Sequence, residues 1–113
     1  MCTKSQLEAI EEEMVNYYRS VYGDSIDTII LYGSYARGDY SDDSDIDITA
    51  IVRGNRVELQ KKLKKMWDFS TEVGLAYDVI VSPTVIPYDE FEQYKEKLPY
   101  YRNIVKEGRK IGW

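Results

Sequence analysis

The chain contains no histidine and only one cysteine, Cys2. These absences exclude zinc sites, Ser-His-Asp triads and Cys-His pairs within the chain, so any chemistry must run on carboxylates, hydroxyls, lysines and arginines. No apolar run is long enough to span a bilayer, and Met1 to Ile10 lacks the basic start and apolar stretch of a secretory signal. The expectation is a protein of the reducing cytoplasm with no membrane segment. Repeats, linkers and low-complexity segments are missing too, and 113 residues suit a single domain over 1–113.

Positive charge is also scarce where it would matter for a polyanion. The net charge is −5, and the acidity is concentrated: residues 1–53 hold 4 basic and 11 acidic side chains, residues 54–113 hold 11 and 9. Non-specific nucleic-acid binding rests on basic patches that displace counterions, so no direct nucleic-acid partner is expected. Lys61, Lys62, Lys64 and Lys65 form the densest basic cluster, but their spacing suits the solvated side of a helix. A cation is the more natural guest of the first half.

The hydrophobic pattern predicts a helix over 5–22, opened by Ser5 and Glu8 as a capping box and closed by Gly23. A short β-branched run over 27–32 predicts a buried strand that stops at Gly33. Residues 33–44 read as a loop with one helical turn near Tyr35–Arg37, and 45–52 as a second strand. A second helix is expected over 56–73, with Leu59, Leu63, Met66, Trp67 and Val73 buried and Gly74 as its stop. A third strand is expected over 75–81, ended by Ser82-Pro83, then two short helices over 88–97 and 100–106 divided by Pro99. The order predicts an α/β fold, a small mixed β-sheet flanked by helices.

Five aspartates fall within Asp39 to Asp47. Like charges about 4 Å apart repel by about 1 kcal/mol in water and about 4 kcal/mol near a protein surface, a cost that a bound cation removes. Side chains alternate along a strand, so Asp45 and Asp47 share a face with Cα atoms roughly 6.5–7 Å apart, close enough for one ion. Asp78 stands alone as a charge in the expected third strand. If that strand neighbours the second, the three carboxylates converge, and oxygen-only ligands favour magnesium or manganese. Asp39, Asp42 and Asp43 read as solvated turn residues. A calcium loop on Asp43, Asp45 and Asp47 fails, because Ile48 stands where such loops need glycine and Gly54 where they need glutamate.

Gly33-Ser34 follows directly on the first strand, where a small residue lets a phosphate approach the backbone and the serine adds a hydroxyl and an amide donor. Arg37 and Gly38 could add a phosphate-pairing guanidinium and a tight turn. Gly33-Ser34, ten residues, Asp45-Ile46-Asp47 and a later Asp78 together resemble the DNA polymerase beta-like nucleotidyltransferase superfamily. The likeness is closest to its minimal nucleotidyltransferases, and Tyr35-Ala36-Arg37-Gly38 and Ser44-Asp45 match that family's usual run. The resemblance implies a polymerase beta palm-like fold in which Asp45, Asp47 and Asp78 are catalytic and bind two magnesium ions, manganese being an alternative. It implies that Asp78 orients or deprotonates the attacking hydroxyl, and that Gly33, Ser34, Arg37, Gly38 and Ser44 bind the nucleotide, ATP.

Small relatives of this kind are often antitoxins that modify a tyrosine of a HEPN-family toxin with AMP, so the resemblance implies such a partner. The chain is not the toxin, whose site uses an Arg and His pair. Once a nucleotide site is built, little chain remains for an acceptor pocket, which favours a partner protein; Tyr94, Tyr100, Tyr101, Arg102 and Trp113 could help to contact it. Two other readings stay open: a nucleotide-binding antitoxin or scaffold that acts by complex formation alone, and an aminoglycoside-type adenylyltransferase of small molecules. The second lacks a substrate domain, unless an oligomer supplies one.

Overall fold

The structure, a computed structural model, describes residues 3–112. Trp113, one of the expected partner contacts, and Cys2 lie outside the described residues. Helix α1 spans Lys4–Tyr22 and opens at Thr3: its side chain accepts from the Gln6 amide at 3.1 Å, while the Thr3 amide donates to the Gln6 side chain at 2.9 Å. The capping box therefore lies on Thr3 and Gln6, not on Ser5 and Glu8. Both pairs have the required spacing, and using the earlier one leaves Ser5 already helical.

A turn of 3-10 helix, Gly23–Ser25, leads into strand β1, Ile26–Tyr32. The single turn α2, Ser34–Arg37, precedes strand β2, Ile46–Val52, which returns antiparallel to β1. Helix α3, Arg56–Tyr77, then carries the chain over the sheet to strand β3, Val81–Pro87, which pairs with β2 in parallel. A parallel neighbour needs such a crossover, because a tight turn can join only antiparallel strands. Helices α4, Tyr88–Tyr94, and α5, Pro99–Glu107, follow, and strand β4, Arg109–Gly112, closes the sheet in the order β3-β2-β1-β4.

The sheet has a core on each face. On one, Ile29, Leu31, Ile48 and Val85 pack with Ile10, Met14 and Tyr18 of α1 and Leu59, Leu63 and Met66 of α3. The fully buried Tyr18 shares its hydroxyl proton between the Ile48 and Thr84 carbonyls, at 3.2 and 2.8 Å, and so ties α1 to both β2 and β3. On the other face Ile30, Ile51 and Ile86 pack under Phe91, Tyr101 and Ile104. That second cover extends along β1 to Tyr32, which packs against the cluster and meets Tyr100 of α5. Beside it, where β2 and β3 begin, the same face carries Asp47, Ser82 and Thr84, which stay part-exposed.

The mixed α/β sheet flanked by helices is as expected, but its third strand is not. Residues 75–77 belong to α3, and β3 begins at Val81 and runs through Ser82-Pro83. Gly74 does not stop the helix. Its backbone is helical, and its missing side chain admits the Val79 carbonyl, which a Cβ would meet at 2.5 Å. The Val79 amide donates to the Gly74 carbonyl at 3.0 Å, and Asp78 takes the left-handed conformation that ends the helix. Prolines are tolerated in β3 because it is an edge strand. Trp67, expected in the core, is 44% exposed. Strand β4 was not foreseen, since Arg109-Lys110-Ile111-Gly112 has no apolar alternation; an ion pair between Arg109 and the buried Glu11, at 2.8 Å, fastens it beside α1. Among the described residues no helix is long and apolar enough to cross a membrane.

The close approach at Gly74 gives the first prediction. Gly74→Ala forces a methyl group against backbone and should cost about 1–3 kcal/mol, although alanine favours helix elsewhere. A thermal midpoint lowered by several degrees would bear this out, and one unchanged or raised would contradict the packing.

Candidate active site

The end of β1 and the start of β2 are held together by the sheet, with Tyr32 directly opposite Asp47. One residue on, Gly33 turns with φ 77°, and a Cβ there would lie 2.5 Å from Asp47 Oδ2. Glycine is thus required twice, for the turn and for the carboxylate that leans on it. Ser34 follows as the first residue of α2, and Gly38 ends that turn in a left-handed conformation with φ 89°. The expected cradle of Gly33, Ser34 and Gly38 therefore lies beside Asp47.

Arg37, the expected phosphate partner, pairs with Asp39 and Glu107, each at 3.1 Å, and its charge also reaches Asp47. Its guanidinium stays largely exposed on this rim, so a phosphate would compete with two surface carboxylates for it. Ser44 accepts from the Ser41 amide at 2.9 Å and closes the small loop that delivers Asp45. In the structure it shapes that loop.

Asp47 is half-buried, and its carboxyl is pushed above the ordinary range by burial first and by the neighbouring Asp45 charge second, with Arg37 opposing. Burial also raises the Tyr32 phenol well above its usual range, helped by a 2.7 Å hydrogen bond to the Tyr100 hydroxyl. Tyr32 is therefore neutral at physiological pH. Asp45 and Asp47 form a pair that repels itself in a partly desolvated corner, which is the situation a hard cation relieves.

Asp78 stands elsewhere than expected. The residue opposite Asp47 on β3 is Ser82, so a hydroxyl occupies the strand position where the third carboxylate was foreseen. Asp78 is instead the exposed cap of α3, the one non-glycine residue with positive φ among those described, at φ 56° and ψ 48°. Accordingly, no three carboxylates among the described residues form a ready metal cluster. Asp78 does share a cleft of about 450 Å³ with Asp45, between the Ser41–Asp45 loop and the end of α3. Trp67, Leu75 and Ile80 also line it, and the sequence hides them there because Trp67 has the spacing of a core residue and Ile80 lies in an apolar run that reads as a strand. The local signal that would have located Asp78 is its own type: aspartate and asparagine are the side chains that best tolerate a left-handed helix end.

A carboxyl group whose pKa rises on folding costs stability when ionised. Stability of the metal-free protein should therefore increase as pH falls through the range where Asp47 takes up its proton. Asp47→Asn should raise the thermal midpoint at neutral pH in the presence of chelator and flatten that part of the pH dependence. A lowered midpoint would show that the carboxylate is satisfied rather than repelled.

Residues 8–111 match the nucleotidyltransferase domain family. The chain is 37% identical over 98 residues to MJ0604 of Methanocaldococcus jannaschii, provisionally named a protein adenylyltransferase, covering 87% of this chain and 90% of that protein. Its fold resembles a chain of a toxin–antitoxin crystal structure with AMP-PNP, with TM-score 0.56, 17% identity, and 94% of this chain and 72% of the other covered. It likewise resembles a chain of a complex between the tri-AMPylated Shewanella oneidensis HEPN toxin and its MNT antitoxin, with TM-score 0.53, 17% identity, and 96% and 71% coverage. With Asp47 seated against the glycine turn, the domain match over residues 8–111 and the 37% identical relative establish that the chain belongs to the nucleotidyltransferase domain family.

Proposed function

We propose that this nucleotidyltransferase is a protein adenylyltransferase that moves AMP from ATP to a tyrosine hydroxyl of a partner protein, as the antitoxin of a HEPN/MNT pair. The observation that carries the reading is Asp47 held against Gly33, with Ser34 next to it and Asp45 at its side. The curated relative named for protein adenylylation and the HEPN–MNT complexes of the same fold supply the substrate class. Residues 1–113 act as one domain, in the cytoplasm, with a HEPN-family toxin as partner.

The oxygen-only donors suit magnesium, with manganese as an alternative; held by Asp45 and Asp47, two such ions would neutralise the triphosphate and favour charge at the entering and leaving oxygens. Gly33 and Ser34 hold the β and γ phosphates, Gly38 sets the turn behind them, and Ser44 keeps Asp45 aimed at the site. Arg37 exchanges its surface carboxylates for phosphate. The tyrosine oxygen forms a bond to the α-phosphorus, the bond from that phosphorus to the β-bridging oxygen breaks, and pyrophosphate leaves. Asp78, at the mouth of the cleft beside Asp45, orients the hydroxyl and accepts its proton.

One observation favours a second reading, a nucleotide-binding antitoxin that acts by complex formation alone: the strand position beside Asp47 holds Ser82. Intact mass spectrometry separates the two. The chain incubated with ATP and magnesium should add AMP to the HEPN protein encoded beside it. Asp45→Ala with Asp47→Ala should reduce transfer by roughly 10²–10³ or more while leaving the domain folded. Asp78→Asn, which keeps a residue tolerant of the left-handed turn, should lower kcat about 10²-fold or more. A stable complex without any transfer by the native chain would establish the second reading, and full activity of the double variant would remove Asp45 and Asp47 from the site.

A further inference from the structure

The cleft beside Asp45 lies on the opposite side of the carboxylate pair from the phosphate cradle. Gly33 and Ser34 leave from β1, Asp45 and Asp47 sit on or just before β2 in the middle, and the cleft opens toward β3 and the end of α3. Displacement at phosphorus runs in line, with the entering oxygen opposite the leaving one. If the β and γ phosphates rest on the β1 side, the acceptor arrives from the β3 side, where this cleft is.

Its walls differ from the rest of the surface. Along α3, Ser70, Thr71 and Gly74 are small and form a groove, with Trp67 at one end and Leu75 at the other. Leu75 is 80% exposed and Ile80 62% exposed, an unusual outlay of aliphatic surface beside a polar site. Asp42, Asp43, Asp45 and Asp78 line the same cleft, and no lysine or arginine does. Two magnesium ions on Asp45 and Asp47 would leave Asp43 and Asp78 as negative charge facing whatever enters.

We infer that this cleft is the docking surface of the acceptor protein, and that it takes a segment in which the acceptor hydroxyl is flanked by a lysine or arginine and an apolar side chain. The inference rests on the proposed transfer to a partner protein and adds where that partner sits and what it must carry. Trp67, Leu75 and Ile80 supply the apolar contact, with the aromatic ring as anchor, and Asp43 meets the basic group. The uncharged nucleotide base is the competing occupant, but the remaining carboxylates at the cleft favour a cationic guest over a neutral one.

The test uses the full chain, ATP and the neighbouring HEPN protein. Dissociation constants by calorimetry and steady-state transfer are compared for the native chain, Leu75→Glu with Ile80→Glu, and Asp43→Lys. The control is Val57→Glu, also exposed, on the first turn of α3. Both cleft variants should weaken the complex tenfold or more and raise KM for the partner by a similar factor, with KM for ATP unchanged and kcat within about threefold. The inference is overturned if they bind the partner as the control does, or if KM for ATP rises instead, which would place the nucleotide in the cleft. A native chain that binds tightly but transfers nothing refutes the transfer reading, and the binding constants still decide the docking surface. Failure of the native chain to bind at all removes both.

Discussion

The structure turns on one contact, the Asp47 carboxylate resting against Gly33. Antiparallel pairing brings the end of β1 and the start of β2 to the same level, and the sheet supplies that alignment through six paired positions. Any side chain at residue 33 would displace the carboxylate, and any other backbone there would misdirect Ser34. The glycine turn and the Asp47 carboxylate are thereby made one unit. Folding accepts a cost for it, since Asp47 is half desolvated and lies within reach of the Asp45 charge. A cation bound at this corner would relieve that cost and so add to the stability of the fold.

The rest of the fold serves to hold that corner and leave it open. Helices α1 and α3 pack on one face of the sheet, and the Tyr18 hydroxyl fixes β2 to β3 from beneath. On the other face α4 and α5 extend the cover as far as Tyr32 and leave Asp47, Ser82 and Thr84 part-exposed. The acids therefore lie on a rigid floor with an uncovered approach. Helix α3 has a second duty, because its last turn, opened by Gly74, sets both the start of β3 and the position of Asp78.

Much of this was legible in the sequence, for reasons that can be named. The β-branched runs ending at Gly33 and beginning at Asp45 marked β1 and β2, and period-two alternation put Asp45 and Asp47 on one face. What failed was the stretch from Gly74 to Ser82. Glycine before an apolar run reads as a helix stop followed by a strand, but here it is a place of close approach inside a helix, which only the position of the Val79 carbonyl reveals. Asp78 moved with that boundary, from the sheet to a helix end. Strand β4 was invisible because its pairing with β1, and the ion pair to Glu11, are long-range and leave no local pattern. The cleft was missed for a related reason: Trp67 has the spacing of a core residue and the exposure of a surface one.

The central claim is that Asp45 and Asp47 hold a divalent cation together with the triphosphate next to Gly33. Manganese titration followed by electron paramagnetic resonance, with a non-hydrolysable ATP analogue present and absent, measures this without relying on turnover. The native chain should bind manganese tightly only when the nucleotide is present, and Asp45→Asn with Asp47→Asn should lose that site while remaining folded. Equal manganese binding by the native and substituted chains would contradict the account.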